Sequence, residues 1–207
     1  ERSKNIMEPI AEIRRLLDVM PASGRMMTKI SSKPEQPKVI ECQFPLPWNQ
    51  ERPIWINFDL WRRMPRPQRD MLLLRTVSWL IGVKWFKPDL YQGIVVAGLL
   101  AGTFQFTQGD AMGILVSGGL SAIAGYQIWR QSRSTQSQLD ADEAAIKVAT
   151  RRGYEEPEAA KHLLAAIEAV AQIERRPLDF TELIRAQNLR AKSGLSPVGV
   201  PDTIKQE

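Results

Sequence analysis

A single histidine, His162, and a single cysteine, Cys42, limit what this chain can catalyse. One histidine cannot supply the paired imidazoles of a helical zinc motif. One cysteine forms neither an internal disulfide nor a cysteine zinc cluster. His162 stands among Ala and Leu on a predicted helix, where it reads as a surface or packed residue rather than a general base. Cys42, in the run KVIECQF, reads as strand packing rather than a nucleophile. The glycines of GLLAG and SGG lie inside apolar runs and lack the Lys-Ser/Thr that completes a phosphate-binding loop. Glu155, Glu156 and Glu158 fall at a helix N-terminus, where carboxylates favour the helix dipole, and this accounts for them without a metal.

The dominant element is an uncharged stretch. Residues 91–106 (YQGIVVAGLLAGTFQF) and 111–129 (AMGILVSGGLSAIAGYQIW) flank a polar turn at 107–110. No charged side chain lies between Asp89 and Asp110 or between Asp110 and Arg130. Each run approaches the roughly 20 residues that an α-helix needs to cross a bilayer core. The reading is a two-helix transmembrane hairpin over residues 91–129. Gly98 and Gly102 on one arm, and Ser117, Ser121 and Gly125 on the other, form small-residue faces that let helices approach closely in lipid. Packing of the arms on each other is the plainer reading of those faces, and docking on another membrane protein the sharper one.

Around the hairpin the chain is polar, with a mean hydropathy of -0.26, so most of it is expected outside the bilayer. Ile6, Ile10, Ile13, Leu16, Leu17 and Met20 recur at helical spacing and predict a helix over residues 5–20. Three β-like runs follow, at 25–30, 38–44 and 53–58, separated by Pro-rich connectors, and predict a small antiparallel sheet. Further helices are expected over residues 67–83, 135–152, 157–175 and 180–192. The fold class is α+β. Residues 1–90 form the N-terminal half of the soluble domain, 91–129 the inserted hairpin, 130–192 the helical C-terminal half, and 193–207 a flexible Gly/Pro-rich tail.

Residues 1–10 lack the continuous apolar core of a signal peptide, so insertion is expected to be directed by the hairpin. Basic residues crowd its outer flanks: Arg62, Arg63, Arg66, Arg69, Lys84 and Lys87 before it, Arg130 and Arg133 after it. The turn carries none. By the positive-inside rule both soluble segments and both termini face the cytoplasmic side. The net charge of +5 is too diffuse for nucleic-acid binding. The expected partners are the membrane and other membrane proteins, with anionic lipid on the arginine run as an alternative.

PIWINFDLWRRMPRPQRDMLLLRTVSWL, the two spans and then QLDADEAAIKVATRRGYEEPEAAKHLL together resemble the HtpX-like and CAAX-prenyl-protease-like membrane zinc metallopeptidases. The resemblance covers residues 50–175. In that family a strand leads to a helix bearing HExxH, and a later helix carries the third ligand within an E-L-x-A-D type motif. Laid on this sequence, the HExxH positions fall at Arg75, Thr76 and Trp79, and the third ligand at Gln138. A guanidinium or an indole does not bind zinc, and a neutral amide replaces a carboxylate poorly. The resemblance therefore implies the fold without the activity: a pseudoprotease with no cofactor. Asp142 survives from the second motif as a structural partner, with a charge pair to Arg75 across the vacated site as its sharpest hypothesis. The chain, PRPQRDMLLLRTVSWL included, is also similar to an uncharacterised family of cyanobacterial membrane proteins, which implies a thylakoid location. The function expected is a scaffold, assembly factor or accessory subunit of a membrane complex. A residual or substrate-presenting peptidase and an anionic-lipid-binding, membrane-organising protein are the alternatives.

Overall fold

The structure is a computed structural model that describes residues 2–45, 51–82 and 134–195, together with the single positions Ala97, Leu100, Gly119, Ala122 and Tyr126, each helical. The chain divides into two units, one of residues 1–82 and 135–207, the other of residues 83–134. Nearly all of the expected hairpin therefore lies outside the described residues. So do Gly98, Gly102, Ser117, Ser121, Gly125, Lys84, Lys87, Arg130, Arg133 and the end of the tail. Among the described residues no helix is long and apolar enough to cross a membrane.

The first unit runs α1 (Arg2–Val19), α2 (Ala22–Met27), β1 (Thr28–Ser32), β2 (Ile40–Cys42), β3 (Arg52–Ile56), α3 (Phe58–Trp61), α4 (Arg66–Gly82), α5 (Thr135–Thr150), α6 (Glu156–Ile173) and α7 (Phe180–Lys192). The α+β class stands, but the sheet is mixed where an antiparallel one was expected. Its order is β1-β3-β2: β2 pairs antiparallel with β3, and β1 parallel with β3.

The reason lies in the link between β1 and β2. Residues 33–39 cross the end of β3 and leave room for it between the first two strands. Gln36 donates to the carbonyls of Lys38 and Trp55, and Asn57 donates to those of Pro34 and Gln36. These bonds pin the link over the strand end, and two inter-strand spacings, about 10 Å, are easily bridged by a segment of this length. Residues 25–27, expected to open the first strand, are instead the last turn of α2. Gly24 brings that helix so close to Val77 that a Cβ there would stand 2.7 Å from the valine. The Thr28 hydroxyl bonds back to the Gly24 carbonyl at 2.7 Å as the helix ends.

Two apolar clusters meet on α4. Leu73, Val77 and Leu80 join Leu16 of α1, Met20 just beyond it, Ile54 and Ile56 of β3, and Val170 of α6. Met71 and Leu74 join Ala145, Ile146 and Ala149 of α5, Leu163 of α6 and Leu189 of α7. A helix packed on both sides must be apolar nearly all round, which is why MLLLRTVSWL carries so few charges.

The contacts also give the helices their directions. Early in α4, the buried Asp70 accepts a bond from Tyr154, beyond the end of α5; later in α4, Arg75 faces Asp142, near the start of α5. The two helices are antiparallel. Arg75 precedes Gly82 by as many residues as Asp142 follows Thr135, so those termini lie side by side. Residues 83–134 therefore leave and re-enter the unit at one end. Gly153, at φ 94°, ends α5 in a left-handed turn that only glycine adopts without strain. Beyond it α6 turns back, and α7 turns again after an Asp179–Glu182 capping box.

Candidate functional site

Asp142 is the most deeply placed charge described, with a side chain 1% exposed. It rides the apolar stripe of α5 with Leu139, Ile146 and Ala149. Arg185 on α7 donates to both its oxygens, Nε to Oδ2 and Nη2 to Oδ1, each at 2.8 Å. This two-pronged geometry is the strongest form of arginine–carboxylate pairing. Arg75 completes the cluster from α4, its Nε 3.6 Å from Asp142 Oδ1. That nitrogen is buried and has no hydrogen-bond partner.

A second carboxylate relieves the excess of positive charge. Glu182 acts on Arg75 from α7, and Arg176 holds it with bonds of 2.7 and 2.8 Å. Arg176 also donates to Glu174, which accepts the backbone N–H of Val39 at 2.8 Å. A network of three arginines and three carboxylates thus ties α4, α5 and α7 to the link that leads into β2. Burial of Glu182 opposes its charge, but the bonds from Arg176 and from the Asp179 backbone outweigh that and hold its carboxyl below the usual range.

Burial lowers Arg75 to about 10; repulsion from Arg185 adds to the effect, and Asp142, Cys42 and Glu182 oppose it. Burial likewise pushes the Cys42 thiol up to about 11, with Arg75 pulling the other way. Neither group is poised for acid–base work near neutrality. The other predicted ligand positions are dispersed. The Thr76 hydroxyl donates to the Leu72 carbonyl at 2.9 Å, the Trp79 ring meets Phe44 edge to face at 6.2 Å, and Gln138 is half-buried on α5. Among the described residues no group of three or more His, Cys, Asp or Glu side chains converges as a metal site would require. His162 packs edge to face on Tyr154 at 6.0 Å.

The basic run before the hairpin proves to be divided. Arg69 donates to Glu12, which also receives Arg15 and the Trp61 indole, and Arg62 pairs with Asp59. Arg63 and Arg66 are exposed. Arg62 and Arg69 border a groove of about 950 Å³ with Ile10, Ile13 and Phe58. Arg66 and Arg69 lie in the first turn of α4 and Arg62 and Arg63 in the turn just before it, and a helix of 17 residues separates its ends by roughly 25 Å. They are thus at the opposite end of α4 from the point where residues 83–134 depart.

Sequence reasoning singled out Asp142 and Arg75 but missed Arg185, the carboxylate's principal partner. A signal existed: Arg185 interrupts the stripe Ile184, Ala186 and Leu189 as Asp142 interrupts its own. Two opposite charges, each set in an apolar helix face, are a natural pair. The Tyr154–Asp70 bond carried no such signal.

The chain is 25% identical over 172 residues to the thylakoid membrane protein slr1949 of Synechocystis sp. (strain ATCC 27184 / PCC 6803 / Kazusa), a match covering 81% of this chain and 79% of that protein. No solved structure matches it. A model of one sequence family, described as protein of unknown function (DUF3318), matches residues 14–154. This chain belongs to the DUF3318 family.

Proposed function

We propose that this is a membrane-anchored, non-catalytic interaction protein. In this reading residues 91–129 form a two-helix transmembrane hairpin, and the α+β unit serves at the membrane surface as a scaffold, assembly factor or accessory subunit of a larger complex. The observation that carries it is the placement of Gly82 beside Thr135 at one end of an antiparallel helix pair. A hairpin that enters and leaves a bilayer from one side needs its two ends together, and an uncharged stretch follows directly. The relative's description as a thylakoid membrane protein supports a membrane location; the cytoplasmic placing of the soluble unit and both termini rests on the basic flanks alone.

The pseudoprotease reading draws support from Arg75, one of its degenerate ligand positions, which stands 3.6 Å from Asp142. The rival reading, a residual metallopeptidase, has no comparable feature. The anionic-lipid reading is weakened by the position of Arg62, Arg63, Arg66 and Arg69. Roughly 25 Å is more than twice the screening length of about 8 Å at physiological salt.

Two measurements test the proposal. Alkaline carbonate should leave the protein in the membrane pellet, and mild-detergent purification should recover it with a stoichiometric membrane complex. Release by carbonate, or recovery as an isolated monomer under every mild detergent, would overturn it. Stoichiometric zinc in the purified protein would overturn the non-catalytic part alone.

A further inference from the structure

Among the large apolar side chains exposed in the first unit, Phe180, Leu183 and Met26 lie toward one end of it, while Ile10 and Leu195 are exposed elsewhere. α6 runs back along α5 from the Gly153 turn, its Ala159, Ala160 and Leu163 clustering with Ala145, Ile146 and Ala149. α7 reverses again, because Glu168 of α6 pairs with Arg190 late in α7 while Arg176, just after α6, pairs with Glu182 early in α7. The first turn of α7 therefore lies toward the end of the unit that holds Gly82 and Thr135. That turn exposes Phe180 (65%) and Leu183 (52%), three residues apart and so on one helix face.

Neither can rotate inward. Arg185 is locked on Asp142 and lies with Leu189 on the opposite, buried face, and Ile184 and Ala186 are buried on its two flanks. The carboxylates of this turn are matched internally: Asp179 caps its own helix, and Arg176 holds Glu174 and Glu182. Met26, 86% exposed, joins them. α2 rests on Val77 through Gly24, and β1 begins two residues later, where its partner Arg52 donates to the Leu80 carbonyl. At the far end of α4 stand the exposed Arg62, Arg63 and Arg66, with Ile10, 48% exposed, at the groove there.

We propose that this end of the unit is a membrane-seating surface, in which Phe180, Leu183 and Met26 enter the interfacial layer of the same bilayer that residues 91–129 are proposed to cross. The inference rests on the transmembrane reading given above. Its physical content is burial. A rigid apolar tooth beside the point of chain exit can move from water into the headgroup–acyl boundary at no further ordering cost.

The test uses the full chain with Cys42→Ala, reconstituted in vesicles of equal parts phosphatidylcholine and phosphatidylglycerol. Nitroxide is placed at Phe180→Cys, at Met26→Cys and, as an aqueous reference at the far end of α5, at Thr150→Cys. At the first two sites, collision with a water-soluble nickel chelate should fall at least about threefold relative to the third, while collision with oxygen rises, as expected for side chains several Å below the headgroups. Chelate accessibility at Phe180→Cys and Met26→Cys equal to that at Thr150→Cys, in protein that resists carbonate extraction, overturns the seating surface and leaves the hairpin intact. Release by carbonate overturns both.

Discussion

Arg185 closes two nitrogens of its guanidinium on the two oxygens of Asp142, each at 2.8 Å, in the most buried ion pair described in the protein. Arg75 stands farther off, at 3.6 Å, as a second and weaker partner. The asymmetry makes the consequences of removing each residue unequal.

Arg185→Met should destabilise the unit by about 3–5 kcal/mol, because it strips a buried carboxylate of its main partner. Arg185→Met/Asp142→Leu should recover most of that loss, since buried ion pairs are often replaceable by apolar residues of similar volume. Arg75→Met should cost less than about 1 kcal/mol, because the fork to Asp142 survives and a like-charge neighbour is gone. Urea unfolding in detergent, followed by circular dichroism, checks the order. An Arg75 variant as damaged as the Arg185 variant would contradict it.

Glu12, like Glu182, contributes to the acid limb of stability. Burial opposes its charge, but the bonds from Arg15 and Trp61 and the charge of Arg69 prevail and hold its carboxyl below the ordinary value of 4.5. A lowered folded-state value means that the stabilisation is present above the unfolded value and is lost as pH falls through the folded one. Stability should therefore drop on acidification below about 4.5. Glu12→Gln should be less stable at neutral pH and should show a shallower acid decline. The midpoint of thermal unfolding from pH 7 to pH 3 reports both effects.

Cys42 should be a slow thiol. Its value of about 11 leaves little thiolate near neutrality, and the thiolate is the reactive form. Iodoacetamide labelling at pH 8 should be at least about tenfold slower in the native protein than in urea, because more than one pH unit separates the native thiol from a free one. Equal rates in the two states would mean that the β2 edge is open to solvent.

Gly24→Ala tests the seat of α2 on α4. The added methyl would meet Val77 Cγ1 at 2.7 Å, so one helix must shift. The expected cost is about 1–3 kcal/mol, the range for overpacking a core. Gly24→Ala/Val77→Ala should regain part of it. Additive losses in the double variant would show that the two positions do not meet.

Much of this molecule can be read from residue order. The helix expected at residues 180–192 is found with those bounds, because an N-capping residue and an apolar stripe both report local structure. The near-complete apolarity of α4 likewise announced a helix buried on most sides. A single histidine and a single cysteine bounded the chemistry before any coordinate was known. The uncharged arms of residues 91–129 were equally plain as composition.

Tertiary structure alone decided the rest. β1 runs parallel to β3 because residues 33–39 are pinned across a strand end, and periodicity within a strand says nothing about its neighbour. Asp142 was expected as a structural partner, with Arg75 as its pair, but its principal partner depended on which face of α7 reached α5. The arginine run adjoins the hairpin in sequence, yet α4 carries it to the opposite end of the unit. Sequence distance records how far the chain has travelled; only the direction of each helix says where it arrives.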